Sequence, residues 1–147
     1  MNLKDLQELA HLAEAKLNHA QGRMAKITAR EMATRRTLQD IDAGFQIAAT
    51  TPPEELSTMM RMGAHQLWTE WSRRKKAQAN QDLALILAEK GEYAQELRKH
   101  LGKRDALKDI AQSAQKQDRA KSEAKAQEAL LLLQIAHPPK RSTSSAL

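Results

Sequence analysis

The stretch Thr50-Thr51-Pro52-Pro53-Glu54-Glu55 divides the chain. A proline has no amide donor, and its ring steers the residue before it away from helical geometry, so a helix arriving from the N-terminal side must end ahead of the pair. The same residues suit the start of a second helix. Thr51 can cap it, a proline fits its first turn, and Glu54 and Glu55 favour the positive end of its dipole. The next prolines are Pro138 and Pro139. Two helices are therefore predicted, about 2–48 and about 54–135, joined by a turn over 49–53. Residues 137–147 read as a disordered tail. At ~1.5 Å per residue the helices would run roughly 70 and 120 Å.

Composition agrees with helices and excludes sheets. The 147 residues include 25 Ala, 19 Leu and 13 Gln, with no Val, no Cys, one Phe, one Tyr and two Trp. Sheets need β-branched and aromatic side chains to cover their faces, whereas Ala, Leu, Gln, Lys, Arg and Glu lose least on entering a helix. Because Ala supplies much of the apolar content, a thin seam between two helices is expected rather than a thick core. The lack of cysteine excludes disulfides and thiolate-bound metal. No segment approaches the ~18 apolar residues of a membrane span. The N-terminus lacks the basic-then-apolar pattern of a signal peptide, and a cytoplasmic protein is expected.

The periodicity supports an all-α fold, a long antiparallel two-helix coiled coil over 1–136 whose second helix is longer than the first. In the first helix a 3-4 spacing selects Leu6, Ala10, Ala13, Leu17, Ala20, Met24, Ile27, Glu31, Thr34, Leu38, Ile41 and Phe45, a seam with a polar break at Glu31 and Thr34. In the second helix the stripe reads Leu56, Met60, Ala64, Leu67 and Trp71, then resumes at Leu83, Ile86, Tyr93, Leu97 and Leu101. A short connection makes the helices antiparallel. With the turn centred near residue 51, residue i faces about 102 − i. Phe45 is then placed near Leu56 and Met60, Leu17 near Leu85 and Ile86, Leu6 near Leu97, and Glu31 near the basic run that starts at Arg73. The isolated glycines interrupt no helix in this reading, with Gly91 and Gly102 as candidate bends.

This pairing leaves residues 101–136 without a partner helix. Residues 101–147 hold 9 basic and 5 acidic groups against 15 and 13 in residues 1–100, so most of the net charge of +6 lies there. The segment ends in Leu130-Leu131-Leu132-Leu133-Gln134-Ile135, an apolar run that a two-helix hairpin has no means of burying. Candidate partner-binding residues are Lys103, Arg104, Lys108, Arg119, Lys121, Lys125 and Leu130 through Leu133.

Other features have plainer readings. The run Arg73-Arg74-Lys75-Lys76 cannot share one helical face and reads as solvated, and Trp68 and Trp71 read as seam residues near the turn. The five histidines form no i,i+4 pair, so neither a metal nor a cofactor is expected. No phosphate loop or nucleophile elbow is present, and a pair of helices offers no concave pocket, so neither catalysis nor a small-molecule substrate is expected. Acids interleave with bases along the second helix and few aromatics could stack on bases, which ranks nucleic acid below protein as a partner.

The layout resembles a known family. A small, basic, cysteine-free chain opens on the amphipathic stretch Leu3-Lys-Asp-Leu-Gln-Glu-Leu-Ala-His-Leu. A turn near residue 50 leads to a longer charged helix, Lys103-Arg104-Asp105-Ala106-Leu107 through Gln127-Glu128-Ala129-Leu130. This looks like the FliJ family of flagellar type III export proteins, over about residues 3–130, in architecture and heptad texture. The Trp68/Trp71 pair and the Leu130–Leu133 run depart from the pattern. The resemblance implies a non-enzymatic, cytoplasmic stalk or chaperone, peripheral to the inner membrane through its partners. Those partners would be a hexameric export ATPase and an export gate protein. The alternatives are a structural coiled coil that self-associates through residues 101–136, and a basic nucleic-acid-binding helical protein.

Overall fold

The computed structural model describes residues 1–138. It contains three helices: α1, Leu3–Thr50; α2, Pro53–Arg61; and α3, Ala64–Ala136. No strand is present among the described residues. The protein is all-α and built on an antiparallel hairpin of α1 and α3, the latter longer, as predicted. Two expectations about the connection fail. Segment 51–63 is not a simple turn but holds the separate helix α2. Its proline pair opens it, with Pro53 at its first position and Glu54 and Glu55 in its first turn. It ends at Gly63, contrary to the reading that the glycines interrupt no helix. Gly63 has φ +69°, donates its amide to the Met60 carbonyl at 3.1 Å and accepts from the Leu67 amide at 3.1 Å. A left-handed residue at this point closes one helix and lets the next begin, and glycine occupies it without steric cost. Gly91 and Gly102, by contrast, lie inside α3 without ending it.

The chain divides into two units. In the first, Glu14–Gly102, α1 and α3 run antiparallel, as their ion pairs show. Arg23 meets Glu96, Arg30 meets Glu89 at 3.1 Å and Asp42 meets Lys76 at 2.7 Å. These pairs total 119, 119 and 118 in residue number, not the expected 102, so the helices pair about a point near residue 60. The cause is α2: it takes up the residues that were assigned to the start of the second strand of the coil. Phe45 accordingly packs on Trp68, ring centroids 5.2 Å apart, rather than on Leu56 and Met60. Glu31 meets Lys90, not the basic run at Arg73.

The seam of α1 is the predicted one. Leu17, Ala20, Ile27, Glu31 and Ile41 are buried in this unit, and Met24, Thr34, Leu38 and Phe45 are half-buried. The seam of α3 keeps a 3-4 spacing but uses different residues. It runs His65, Thr69, Ser72, Lys76, Ala79, Leu83, Ile86, Lys90, Tyr93, Leu97 and His100, all buried or half-buried. Ile86, Tyr93 and Leu97 stand as expected, and Leu56 is half-buried in α2. Met60, Leu67 and Trp71 are not seam residues: they are 58%, 69% and 55% exposed, and Leu85 and Leu101 are exposed too. Bulky side chains on α1 fill the space between the helices, so α3 contributes small residues such as Ser72 and Ala79, and the apolar stems of lysines whose charged ends reach outward.

In the second unit, Met1–Ala13 with the residues from Lys103 onward, Leu6 and Ala13 are buried and Leu3 and Ala10 half-buried on α1. Arg104, Leu107, Ala111 and Ala114 are half-buried on α3 at the same 3-4 spacing. Leu6 therefore shares its unit with these residues, not with the expected Leu97. This also corrects the length of the bare segment. It does not begin at 101; every described residue from 115 to 138 is exposed, and none before 115 belongs to an uninterrupted bare stretch. The tail predicted over 137–147 lies, from residue 139, outside the described residues.

Candidate functional site

The first candidate surface is the bare end of α3. Helical propensity carries it: Ala, Gln, Lys and Glu dominate 115–129, and no proline intervenes before Pro138. Leu130, Leu131, Leu132 and Leu133 are each 59–62% exposed and Ile135 is 76% exposed. Four consecutive leucines occupy all sides of a helix, so no rotation of the segment turns its apolar side chains away from water. Of the predicted partner-binding residues, Arg119, Lys121, Lys125 and the four leucines lie on this end. Lys103, Arg104 and Lys108 lie before it, beside the half-buried stripe. Arg104 is half-buried and pairs with Asp105 at 2.6 Å. Of these three only Arg104 is partly covered, and Lys103 and Lys108 are exposed.

The second candidate was not legible in the sequence. Around α2, the C-terminal turns of α1 and the first turns of α3 enclose a groove of about 410 Å³. Gly44, Ile47, Ala48, Leu56, Met59, Ala64 and Trp68 line it, with Thr51 and His65 as its polar members. The expectation that a helix pair offers no concave pocket therefore fails at the connection, where α2 adds Leu56 and Met59 to the lining. Gly44 sets the close approach there, since a β-carbon at that position would lie 2.9 Å from Trp68 Cζ2. Helix α2 buries none of its residues, so the apolar positions Leu56, Met59 and Met60 on one face are only partly covered. The polar members of the groove are few, and the Thr51 hydroxyl already donates to the Ile47 carbonyl at 2.8 Å. The surface suits an apolar guest.

The tryptophans separate by role. Trp68 lies between Phe45 and His65, whose ring is 6.3 Å away. Trp71 faces outward with the Lys75 ammonium 6.0 Å from its ring.

One polar cluster sits in the seam itself. Glu31 accepts from Arg35 Nε at 2.9 Å and from Lys90 Nζ at 2.5 Å. These hydrogen bonds, Lys90 first and then Arg35, hold its carboxyl below the ordinary carboxylate value against the opposing effect of burial. A turn further along, the Tyr93 hydroxyl donates to Glu89 Oε1 at 2.8 Å, and that bond, aided by burial, raises its pKa. The Arg23 guanidinium lies 5.2 Å from the Tyr93 ring centre. Of these contacts, Glu31–Lys90 joins α1 to α3 and favours one alignment of the helices, whereas Glu31–Arg35 lies within α1 and Tyr93–Glu89 within α3.

Among the described residues, no group of three or more His, Cys, Asp or Glu side chains could hold a metal ion. No helix there is long and apolar enough to cross a membrane. No family model, curated protein or solved structure matches the chain.

Proposed function

We propose that the protein is a non-enzymatic coiled-coil adaptor, in which the α1–α3 hairpin is the scaffold and residues 115–136 of α3 engage a protein partner. The observation that carries this reading is the exposure of that whole segment, ending in four leucines and an isoleucine. Exposed apolar runs of this kind are costly in water and are covered by partners where a chain is stable. Lys116, Arg119, Lys121 and Lys125 precede the leucines, and charges in such positions guide encounter and orientation.

The resemblance to the FliJ family makes a hexameric export ATPase, with an export gate protein, the first partner to test, and flagellar export in the cytoplasm the setting. A stiff antiparallel helix pair suits a stalk that enters a ring, because it transmits position or torque with little bending. The test is co-purification with such an ATPase and measurement of its turnover. Capture of the ATPase and faster hydrolysis are expected, and both should weaken with Lys121→Glu and Lys125→Glu together. Neither binding nor stimulation by the purified chain would overturn this assignment.

A further inference from the structure

In the unit that joins Met1–Ala13 to the residues from Lys103 onward, the half-buried stripe of α3 runs Arg104, Leu107, Ala111 and Ala114, and cover stops there. The stripe itself does not stop. The same 3-4 spacing continues through Asp118, Lys121, Lys125, Glu128, Leu132 and Ile135, all on the exposed end of the same helix. We propose, resting on the reading of residues 115–136 as a protein-binding segment, that this segment pairs antiparallel with its counterpart in a second copy while no other partner holds it. The product is a closed two-fold dimer, because each copy presents the same stripe to the other.

Continuity with the existing seam is the first reason for this occupant. A helix laid on the continued stripe extends the α1–α3 contact in the geometry it already has, and the bare end of α3 is itself such a helix, about three heptads long. Length is the second reason. Laid antiparallel, the two bare ends overlap fully, with Asp118 opposite Ile135, Lys121 opposite Leu132 and Lys125 opposite Glu128. Neither helix then reaches the stripe before residue 115, and α3 ends at Ala136, ahead of Pro138.

Charge is the third reason, and it decides orientation and register. In this pairing Lys125 meets Glu128 twice, once on each side of the two-fold axis. A parallel pair would set Asp118, Lys121, Lys125 and Glu128 each against its own kind. An antiparallel pair shifted by one heptad would set Lys121 against Lys125 and Asp118 against Glu128, and would drive Leu132 and Ile135 onto the half-buried Ala114 and Ala111. Shifted the other way, it loses the Lys125–Glu128 contact and much of the overlap. Opposed like charges disfavour an alignment and opposite ones favour it. Leu132 and Ile135, 61% and 76% exposed in the single chain, lie at the centre of the contact, and Leu130 stays on its outer side. The stem of Lys121 covers Leu132 while its ammonium reaches water.

Sedimentation velocity of the full chain alone, over a concentration series, should show a mass rising from 16.5 kDa to twice that value and no further. Leu132→Gln removes an apolar side chain from the contact twice and should weaken the dimer by about tenfold or more, whereas Leu130→Gln should change it by less than about twofold. Lys125→Glu and Glu128→Lys should each weaken it by about tenfold, since each sets like charges face to face at two places. Combined in one chain they should restore it, because the pair is only reversed. Helical content by circular dichroism should be the same in every variant. The chain has no cysteine, so thiols can be placed singly. Lys121→Cys and Leu132→Cys should be joined by a short bismaleimide when the two variants are mixed, and neither should cross-link to itself.

A chain that stays monomeric at every concentration overturns the dimer, as does a mass that climbs past it. Equal losses from Leu130→Gln and Leu132→Gln, or no recovery in the double charge variant, overturn it too. Self-cross-linking of either cysteine variant would mark a parallel pair and do the same. No ATPase enters these measurements. A monomeric chain that still captures the export ATPase therefore refutes only the dimer, and a dimer that captures none refutes only the adaptor assignment.

Discussion

Replacing Gly44 with alanine tests whether α1 and α3 approach at the connection as closely as described. Alanine in a helix interior is worth about 1 kcal/mol over glycine, because glycine loses more backbone freedom on folding. At Gly22 and Gly91 an added β-carbon meets nothing within 4 Å, so Gly22→Ala and Gly91→Ala should each stabilise by nearly that amount. At Gly44 the same carbon lands 2.9 Å from Trp68 Cζ2 and 3.5 Å from Cη2. Favourable carbon–carbon separation is about 3.5–4.0 Å, so a rigid indole must retreat by roughly half an ångström or more. Its retreat also disturbs the edge contact with Phe45. Overpacking of this kind costs about 1–3 kcal/mol, which offsets or exceeds the propensity gain. Gly44→Ala should therefore be neutral to destabilising by up to about 2 kcal/mol, and should fall below Gly22→Ala by about 1–3 kcal/mol. Urea unfolding followed by far-ultraviolet circular dichroism measures all three. A second variant isolates the cause: in a Trp68→Leu chain the deficit of Gly44→Ala should vanish, as a double-mutant cycle would report. If Gly44→Ala stabilises as much as Gly22→Ala, the close approach of Trp68 to α1 is wrong.

Four further outcomes are expected. Leu17→Ala, at a site 2% exposed, should cost about 2–5 kcal/mol, whereas Leu67→Ala should stay within about 0.5 kcal/mol; equal effects would restore the seam read from sequence. Gly63→Ala forces an alanine into left-handed geometry and should cost about 1–2 kcal/mol in urea unfolding, and a neutral result would deny its role in ending α2. Glu31 has a lowered pKa in the folded chain, so its contribution is complete above the unfolded carboxylate value and fades as pH falls through the folded one. Thermal midpoints of the parent should therefore drop more steeply on acidification than those of Glu31→Gln, and parallel curves would refute this. Tyr93 has a raised pKa, so its contribution is complete below the unfolded value of about 10 and lost as pH rises through the folded one; phenolate absorbance of this single tyrosine should titrate late, and earlier in Glu89→Gln.

The two helices differed in how far they could be read from sequence, for a physical reason. On α1 the buried side chains are themselves large and apolar, as at Leu17, Ile27 and Ile41, and spacing alone finds them. On α3 the buried positions hold Ser72, Ala79 and Ile86, and half-buried ones include Lys76, Lys90, His100 and Arg104, so much of its stripe is small or polar by type. The eye follows Leu67, Trp71 and Leu101 instead, which lie outside that seam. A strict 3-4 count backward from Ile86 would have reached Ala79 and Ser72. The groove was hidden because it depends on α2, whose existence required reading Gly63 as an end rather than an interruption. The bare leucine run was legible because nothing in the chain could cover all of its faces at once.

The antiparallel pairing of α1 with α3 also sets the order in which a nascent chain can complete itself. Phe45 and Trp68 are separated by few residues and can meet soon after α2 leaves the ribosome. The half-buried residues that share a unit with Leu6, Leu107 to Ala114, are made about a hundred positions after it. At ~5–20 residues per second that is a delay of roughly 5–20 s, during which the first turns of α1 present an uncovered apolar stripe. Closure then proceeds from the connection outward, so the first turns of α1 are sheltered after its middle. The start of α1, rather than its middle, is where a chaperone would find this protein during synthesis.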